Sequence, residues 1–386
     1  MSSKLKIVTL NVRGLGTICK TKRIGNLLKK EQAHIIYLQE THQKRGGLNE
    51  IKANWIKDYE KAYGSSKSRG VAVIITNKCN FEIKSVKKDD EGRYIIIEGE
   101  IGGDKYVLVN VYAPNENQGE FYEKILGEIK NWQQHFVIVG GDFNMPMDRM
   151  KDKSNPTVKD KNNNITELNR IMNKWGLKDS WRLLKGDERK YTYYSAVHKT
   201  YTRIDYLFIS KNMVDKLFNS EIGIIRISDH AIVNLEIINK QDYEQTRRWR
   251  LNSNILNYEE IIRRIGANWQ EIWDINDNNV SRNILWDTMK AVARGLCIKE
   301  TYNLKKRQEE RKNKLEKDIE KLEKQYIIKR TTQIYNELRA KKEELDKIEI
   351  DEVQKNLIYL KREFFEYSNK NSKMLARAAQ KKKNEK

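Results

Sequence analysis

Short apolar, β-branched runs recur through the first 240 or so residues: Ile7–Leu10, Ile35–Leu38, Val71–Ile75, Tyr94–Ile97, Tyr106–Val109, Phe136–Val139 and Tyr206–Ile209. A longer run, Ala231–Ile238, closes the series. Most are bounded by Gly, Asn or Asp, and that length and punctuation predict strands. Elsewhere apolar residues return every three or four positions, over Arg23–Glu31, Phe121–Trp132 and Ile165–Trp175, which predicts helices. The last of these opens at Thr166-Glu167 and stops at Gly176. Strands with helices between them predict two layered sheets with helices packed outside.

The pattern changes near Lys240. All three prolines (Pro114, Pro146, Pro156) lie before that point, and of the 20 glycines only Gly266 and Gly295 follow residue 224. From about Asn257 the periodicity is helical. Leu315, Ile319, Leu322 and Tyr326 follow a 4-3-4 spacing that resumes at Leu338, Leu345 and Ile348, with Lys and Glu between them. This predicts a short coiled coil or a long amphipathic hairpin. Packing on its own chain and pairing with a second copy both fit the pattern. The expected organisation is a domain over 1–239, a linker over 240–256 and a basic helical region over 257–386.

Charge narrows the partner. Lys and Arg outnumber Asp and Glu by 75 to 54, a formal charge of +21. Residues 1–239 carry +11 and residues 240–386 carry +10, so the excess is not confined to a tail. A polyanion, nucleic acid first, is the expected partner. No stretch approaches the roughly 18 uncharged apolar residues of a membrane span. Cys19, Cys79 and Cys297 are too scattered for a disulfide framework or a cysteine zinc site. The N-terminus, MSSKLKIVTLNVRG, does not read as a signal peptide. A soluble protein of a reducing compartment is expected.

Polar residues cluster where the apolar runs end. Asn11 follows Ile7–Leu10, Gln39-Glu40 follows Ile35–Leu38, and Asn110 and Tyr112 close the next run but two. Gly141-Asp142-Phe143-Asn144 follows Phe136–Val139, Asp205 opens Tyr206–Ile209, and Ser228-Asp229-His230 precedes the last strand. A strand-end acid alone is usually a turn or cap residue, and His230 alone is more often structural than catalytic. Together they suit phosphodiester hydrolysis, if the strand ends share one rim. Mg²⁺ takes hard oxygen ligands, often one or two carboxylates; Glu40 is the first candidate and Asp229 the second. Asp142 beside Asn144 can orient and deprotonate a water. His230 can meet the phosphate near neutral pH, and Asp205 can hold its imidazole in one tautomer. Tyr112 and Asn11 offer neutral donors.

In order along the chain, LNVRGL (10–15), LQETH (38–42), NVYAPN (110–115), GGDFN (140–144), TRIDYLFIS (202–210) and SDHAIV (228–233) resemble the motifs of the endonuclease/exonuclease/phosphatase superfamily, which includes exonuclease III, abasic-site endonucleases and DNase I. The resemblance covers about residues 5–238. It implies an α+β fold, a four-layer α/β/β/α sandwich of the DNase I kind, here followed by a helical, partly coiled-coil region. It also implies catalytic roles for Asp142, Asn144, His230, Asp205 and Tyr112, and a metal and phosphate site at Glu40, Asp229 and Asn11. One departure stands out. Abasic-site enzymes commonly carry an acidic residue two positions after the first-motif Asn, and here that position is Arg13. A second metal contact is thereby lost.

Within the superfamily the wording of NVYAPN, RIDY and SDH resembles the endonuclease domain of LINE-type retrotransposon open reading frame 2 proteins. Trp249-Arg250-Leu251-Asn252 and the lysine-rich helices up to Lys370–Ala376 resemble the segment joining that nuclease to a reverse transcriptase. No polymerase motif follows, so a piece or truncated descendant of such an element is expected. The resemblance implies a Mg²⁺-dependent nick that leaves a 3′-hydroxyl in double-stranded DNA, with Mn²⁺ as the alternative ion. Element RNA, a coiled-coil homo-oligomer and the nucleus are the further expectations. Arg13, Arg203 and Ser228 are candidate DNA contacts. So is a hairpin over Tyr191–Thr202, with Thr192, Tyr193, His198 and Lys199 in it. The basic runs Leu304–Arg307 and Lys381–Lys383 are candidates for phosphate contact or nuclear import. Two other readings remain open: a phosphoinositide or sphingolipid phosphodiesterase, and a non-catalytic nucleic-acid-binding remnant.

Overall fold

The computed structural model describes residues 3–43, 51, 53–64, 68–130, 132–156, 163–239, 251, 253–276 and 280–367. Trp249, Arg250, Asn252, most of the expected linker and the lysine-rich end, with Lys370–Ala376 and Lys381–Lys383, lie outside the described residues.

In chain order the strands are β1 (Ser3–Asn11), β2 (Ile35–Gln39), β3 (Ile56–Ala62), β4 (Val71–Thr76), β5 (Glu82–Lys88), β6 (Tyr94–Ile101) and β7 (Asp104–Tyr112). There follow β8 (Phe136–Asp142), β9 (Leu177–Asp179), β10 (Tyr193–Ser195), β11 (Thr200–Thr202), β12 (Asp205–Ser210), β13 (Leu217–Ile225) and β14 (Ala231–Asn239). Among the described residues they form two six-stranded sheets, β13-β14-β1-β2-β4-β3 and β5-β6-β7-β8-β12-β9, and a separate β10-β11 hairpin. The helices are α1 (Ile18–Glu31), α2 (Gln118–Gly127), α3 (Arg149–Asp152), α4 (Asn163–Lys174), α5 (Ser180–Lys185), α6 (Glu259–Asn276), α7 (Arg282–Lys329) and α8 (Thr332–Tyr367).

Two-residue periodicity sorts each strand between layers. Leu5 and Ile7 of β1 face the inter-sheet core with Tyr37, Val73, Ile97, Leu108 and Leu207. Val8 and Leu10 face outward, under Ile24, Leu27 and Leu28 of α1. On the other sheet Val107, Val109, Val137 and Val139 face outward, under Tyr122, Ile125 and Leu126 of α2 and Leu168, Ile171 and Met172 of α4. The result is the expected α/β/β/α sandwich. Central strands buried on both faces read as unbroken apolar runs; β2 and β4 are buried throughout.

The sequence pattern identifies eight of these strands, and all eight lie inside a sheet or at the centre of the sandwich. The four it misses, β3, β5, β9 and β13, are the four sheet edges. Edge strands have no neighbour on one side and commonly carry charge there. Accordingly β5, EIKSVKK, has no buried residue, and β3, IKDYEKA, has only Ala62. Neither presents an apolar run.

The helical region is helical as expected. The chain divides into two compact units, one of Met1–Tyr243 together with Glu323–Lys386 and one of Glu244–Leu322. Within the second unit Ile255, Ile261 and Cys297 form a small core, and the Trp269 indole donates to the Met289 carbonyl at 3.2 Å. Within the first, α8 packs on the sandwich: Arg23 of α1 pairs with Asp346 and, at 3.4 Å, with Glu349. No described helix is long and apolar enough to cross a membrane.

Candidate active site

Strand register gathers the polar ends. Parallel pairing of β7 with β8 sets Tyr112 beside Asp142, and antiparallel pairing of β12 with β8 sets Asp205 on its other side. Neighbouring strands lie about 4.8 Å apart, so three functional side chains share one edge. On the facing sheet, parallel pairing of β1 and β2 sets Asn11 beside Gln39, one residue before Glu40. His230 immediately precedes β14, next to β1 in that sheet.

These groups meet. The Asn11 amide donates to Glu40 Oε1 at 2.9 Å and to Asp142 Oδ2 at 2.8 Å, bridging the sheets. His230 Nδ1 lies 2.8 Å from Asp205 Oδ2, and its Nε2 lies 3.9 Å from Asp142 Oδ2. Asp142 Oδ1 accepts the Asn144 N–H at 2.8 Å. The Tyr112 hydroxyl lies beside Glu40, Asn144 and Asp142. Asp142, Asp205 and His230 are all buried and hold their ligand atoms within 4.8 Å of one another.

The backbone is shaped for this. Arg13, Glu40, His42 and Asn144 have φ between +44° and +52°, a region unfavourable for residues with a Cβ and common at functional sites. Gly141 has φ +134°, and a Cβ there would sit 2.0 Å from the Val111 carbonyl oxygen, so the turn into Asp142 requires glycine.

Electrostatics separate the acids. Burial, and then the Asp205 charge, push Asp142 up to about 7. Burial alone would lower His230, but the carboxylates of Asp205 and Asp142 override it and raise it to about 9. Burial would raise Glu40; donors from His42 and Asn11 and the nearby imidazoles instead hold it at about 2. Glu40 is therefore ionised at neutral pH. Asp205 Oδ1 is buried without a hydrogen-bond partner. Carboxylate oxygens of this kind fit a hard divalent cation.

The remaining candidates divide. Asn11 presents its amide NH₂ to the two carboxylates while its oxygen accepts the Arg13 N–H at 2.9 Å, so it links the acids. Asp229 is paired with Arg13 at 2.6 Å, and Ser228 donates to Asp229 Oδ1 at 3.2 Å. Tyr193 packs against His230, ring centres 4.8 Å apart. The hairpin forms as expected, Tyr193 opposite Thr202 and Ser195 opposite Thr200, with His198 and Lys199 exposed near its tip.

Two expected DNA contacts need correction. Thr192 is fully buried, and its hydroxyl accepts the N–H groups of Ile204 and Asp205. Arg203 is 1% exposed and is held by Asp152 at 2.8 Å and Asp179 at 2.7 Å. Both side chains are committed inside the protein. Gln39 and Asn110, also at strand ends, are buried structural partners that hydrogen-bond each other between the sheets at 2.6 Å.

Sequence reasoning missed two residues. His42 Nε2 lies 3.2 Å from Glu40 Oε2. Lys20 Nζ donates to the Arg13 carbonyl at 2.7 Å and feels the charges of Asp229 and Glu40; burial lowers its pKa. His42 lies within LQETH and was open to notice. Lys20, one cation of a basic helix, carried no signal.

The endonuclease/exonuclease/phosphatase family matches residues 8–230, and the chain belongs to that family. It is 24% identical over 309 residues to the uncharacterised 149 kDa protein of transposon TX1 from Xenopus laevis, covering 78% of this chain and 23% of that protein. The chain thus spans less than a quarter of that relative's length. It is 27% identical over 261 residues to the exodeoxyribonuclease of Bacillus subtilis, covering 60% of this chain and 99% of that one. Solved structures share the fold. The Xenopus laevis APE2 catalytic domain has TM-score 0.51, 20% identity, 62% of this chain and 94% of that one. The AP endonuclease LMAP of Leishmania major has TM-score 0.50, 14% identity, 61% and 88%.

Proposed function

We propose that this protein is a Mg²⁺-dependent DNA endonuclease that nicks one strand and leaves a 3′-hydroxyl, as the target-site nuclease of a LINE-type retrotransposon does. The observation that carries the proposal is the buried relay Asp205–His230–Asp142, joined through Asn11 to an ionised Glu40. Supporting the retrotransposon reading, the likeness to the TX1 protein covers more of the chain than residues 1–239 contain.

Glu40 would hold the cation, with Asp229 as a second oxygen source; bound there, a divalent ion neutralises phosphate charge and eases departure of the leaving oxygen. Arg13 already neutralises Asp229, which favours one ion over two. Asp142, raised towards neutrality and fixed by the Asn144 N–H, takes the proton of the attacking water. His230, kept cationic by its carboxylates, donates to a phosphate oxygen. Asp205 fixes the imidazole through Nδ1. Tyr112 offers a neutral hydroxyl whose pKa is raised, first by burial and then by Glu40 and Asp142, so it stays protonated.

DNA contact is assigned to the exposed rim: Arg13, Lys20, Ser228, Tyr193, His198 and Lys199. A protein acting on chromosomal DNA would work in the nucleus. Plasmid nicking in Mg²⁺ tests the proposal. Wild type should open supercoiled plasmid and leave ends a DNA polymerase extends, and Asp142→Ala and His230→Ala should not. DNA binding without nicking by the wild type would support the remnant reading, and release of phosphate from inositol lipids the phosphatase reading.

A further inference from the structure

The family match ends at residue 230, yet residues far beyond it pack against the catalytic rim. Tyr326, at the end of α7, is 7% exposed and joins the hydrophobic cluster that runs from the inter-sheet core to the hairpin residues Tyr191 and Tyr201. Its ring centre lies 6.4 Å from Tyr194 and 5.7 Å from Tyr335, and Tyr194 packs on Tyr201 with ring centres 4.6 Å apart. Tyr194 and Tyr201 are opposite residues of the β10-β11 hairpin. The hairpin base is in turn fastened to the catalytic loop: the Ala231 N–H donates to Thr192 O at 2.6 Å, and the Tyr194 N–H to Asp229 O at 3.3 Å. Further along α8, Glu349 pairs at 3.4 Å with both Arg226, just before that loop, and Arg23 of α1.

We propose that the α7–α8 turn is a brace that positions the β10-β11 hairpin beside His230, with Tyr326 as its principal positioning residue, so that DNA engagement depends on a segment outside the nuclease family's own span. A two-stranded hairpin is marginally stable by itself. With three-residue strands and Val197 86% exposed near its tip, this one needs support from below. The ring of Tyr326 supplies it on one side and the Ser228–His230 loop on the other. The inference rests on the nuclease reading for its consequence and on packing alone for its existence.

The full chain tests both. Amide hydrogen exchange at residues 193–202, without DNA, reads the brace; KM, kcat and the distribution of nicks on a plasmid read its use. Tyr326→Ala should speed hairpin exchange by about tenfold or more, because local opening free energy falls with lost buried contacts. KM for duplex DNA should rise about fivefold with kcat within about twofold, the signature of lost binding and not of lost chemistry. Tyr326→Phe keeps the ring and should stay near wild type. Should Tyr326→Ala not fold, Glu349→Lys, which sets a third cation against Arg226 and Arg23, should produce the same split. Unchanged hairpin exchange in a folded Tyr326→Ala protein overturns the brace. Faster exchange with unchanged KM and nick distribution overturns its positioning role. A wild type that never nicks defeats the nuclease proposal instead, and the exchange result then judges the brace alone.

Discussion

Two buried charged clusters lie within two residues of each other, and they differ in kind. Around Arg203, every charge has an answer. The guanidinium meets Asp152 and Asp179, stacks over Tyr206 at 4.5 Å and Trp181 at 5.0 Å, and Arg182 adds a second cation at Asp152. Around Asp205, charges outnumber their answers. Three titratable groups crowd together, Asp205 Oδ1 has no partner, and Asp142 and His230 are both raised. Burial of charge does not mark a site. A saturated cluster holds structure together, whereas an unsaturated one keeps capacity for a substrate, a proton or an ion.

The sharpest way to break this contrast is to neutralise one acid in each cluster. Asp205→Asn should leave the fold intact and reduce nicking by about 10²–10⁴-fold, because the imidazole loses the charge that orients it and keeps it protonated. A near-normal kcat would remove Asp205 from the relay. Arg203→Met should do the reverse. It takes the cation from Asp179 and leaves buried Asp152 with Arg182 alone, and should cost about 3–5 kcal/mol in urea unfolding, while nicking per folded molecule is preserved. If nicking fell with no loss of stability, Arg203 would belong to the functional cluster after all.

A smaller test uses a half-buried group outside both clusters. His34 Nδ1 accepts the Lys6 N–H at 3.0 Å, and burial, with help from Lys78 and Lys6, lowers its pKa to about 4 from 6.5. The unfolded chain therefore takes up the proton first as pH falls. The stabilisation is present above about 6.5 and lost between there and about 4, a change on the order of 1–3 kcal/mol. His34→Asn retains an acceptor and should flatten that slope; an equal slope in the variant would assign the acid loss elsewhere. The smallest stability effect is expected at Arg13, 64% exposed at its side chain. Arg13→Ala should shift stability by less than about 1 kcal/mol. It also releases Asp229, so Mn²⁺ should bind more tightly in a calorimetric titration. Unchanged affinity would mean that Asp229 is no ligand.

How much of this was legible beforehand follows from where each residue sits. Asp142, Asp205, His230, Glu40 and Asn11 stand at the ends of interior strands of the two sheets, and such strands announce themselves as apolar runs. The motif order then supplied the family. Arg203 looked equally functional in sequence, two residues from Asp205. Only the fold placed Asp152 and Asp179, 51 and 24 residues earlier, against its guanidinium. His42 was adjacent to a recognised motif. Lys20 and Tyr326 owe their positions to turns and helix packing that leave no periodic trace.

The apolar pattern of the chain determined the eight central strands, the two sheets and the outer helices, because interior strands carry apolar runs and the helices that cover them carry an apolar stripe. The four sheet edges, the saturation of the Arg203 cluster, the pairing of Arg13 with Asp229 and the packing of the α7–α8 turn under the hairpin were decided only in three dimensions. These are half-solvated or long-range contacts. A half-solvated strand has no apolar signature, and a partner a hundred residues away leaves no mark on local sequence.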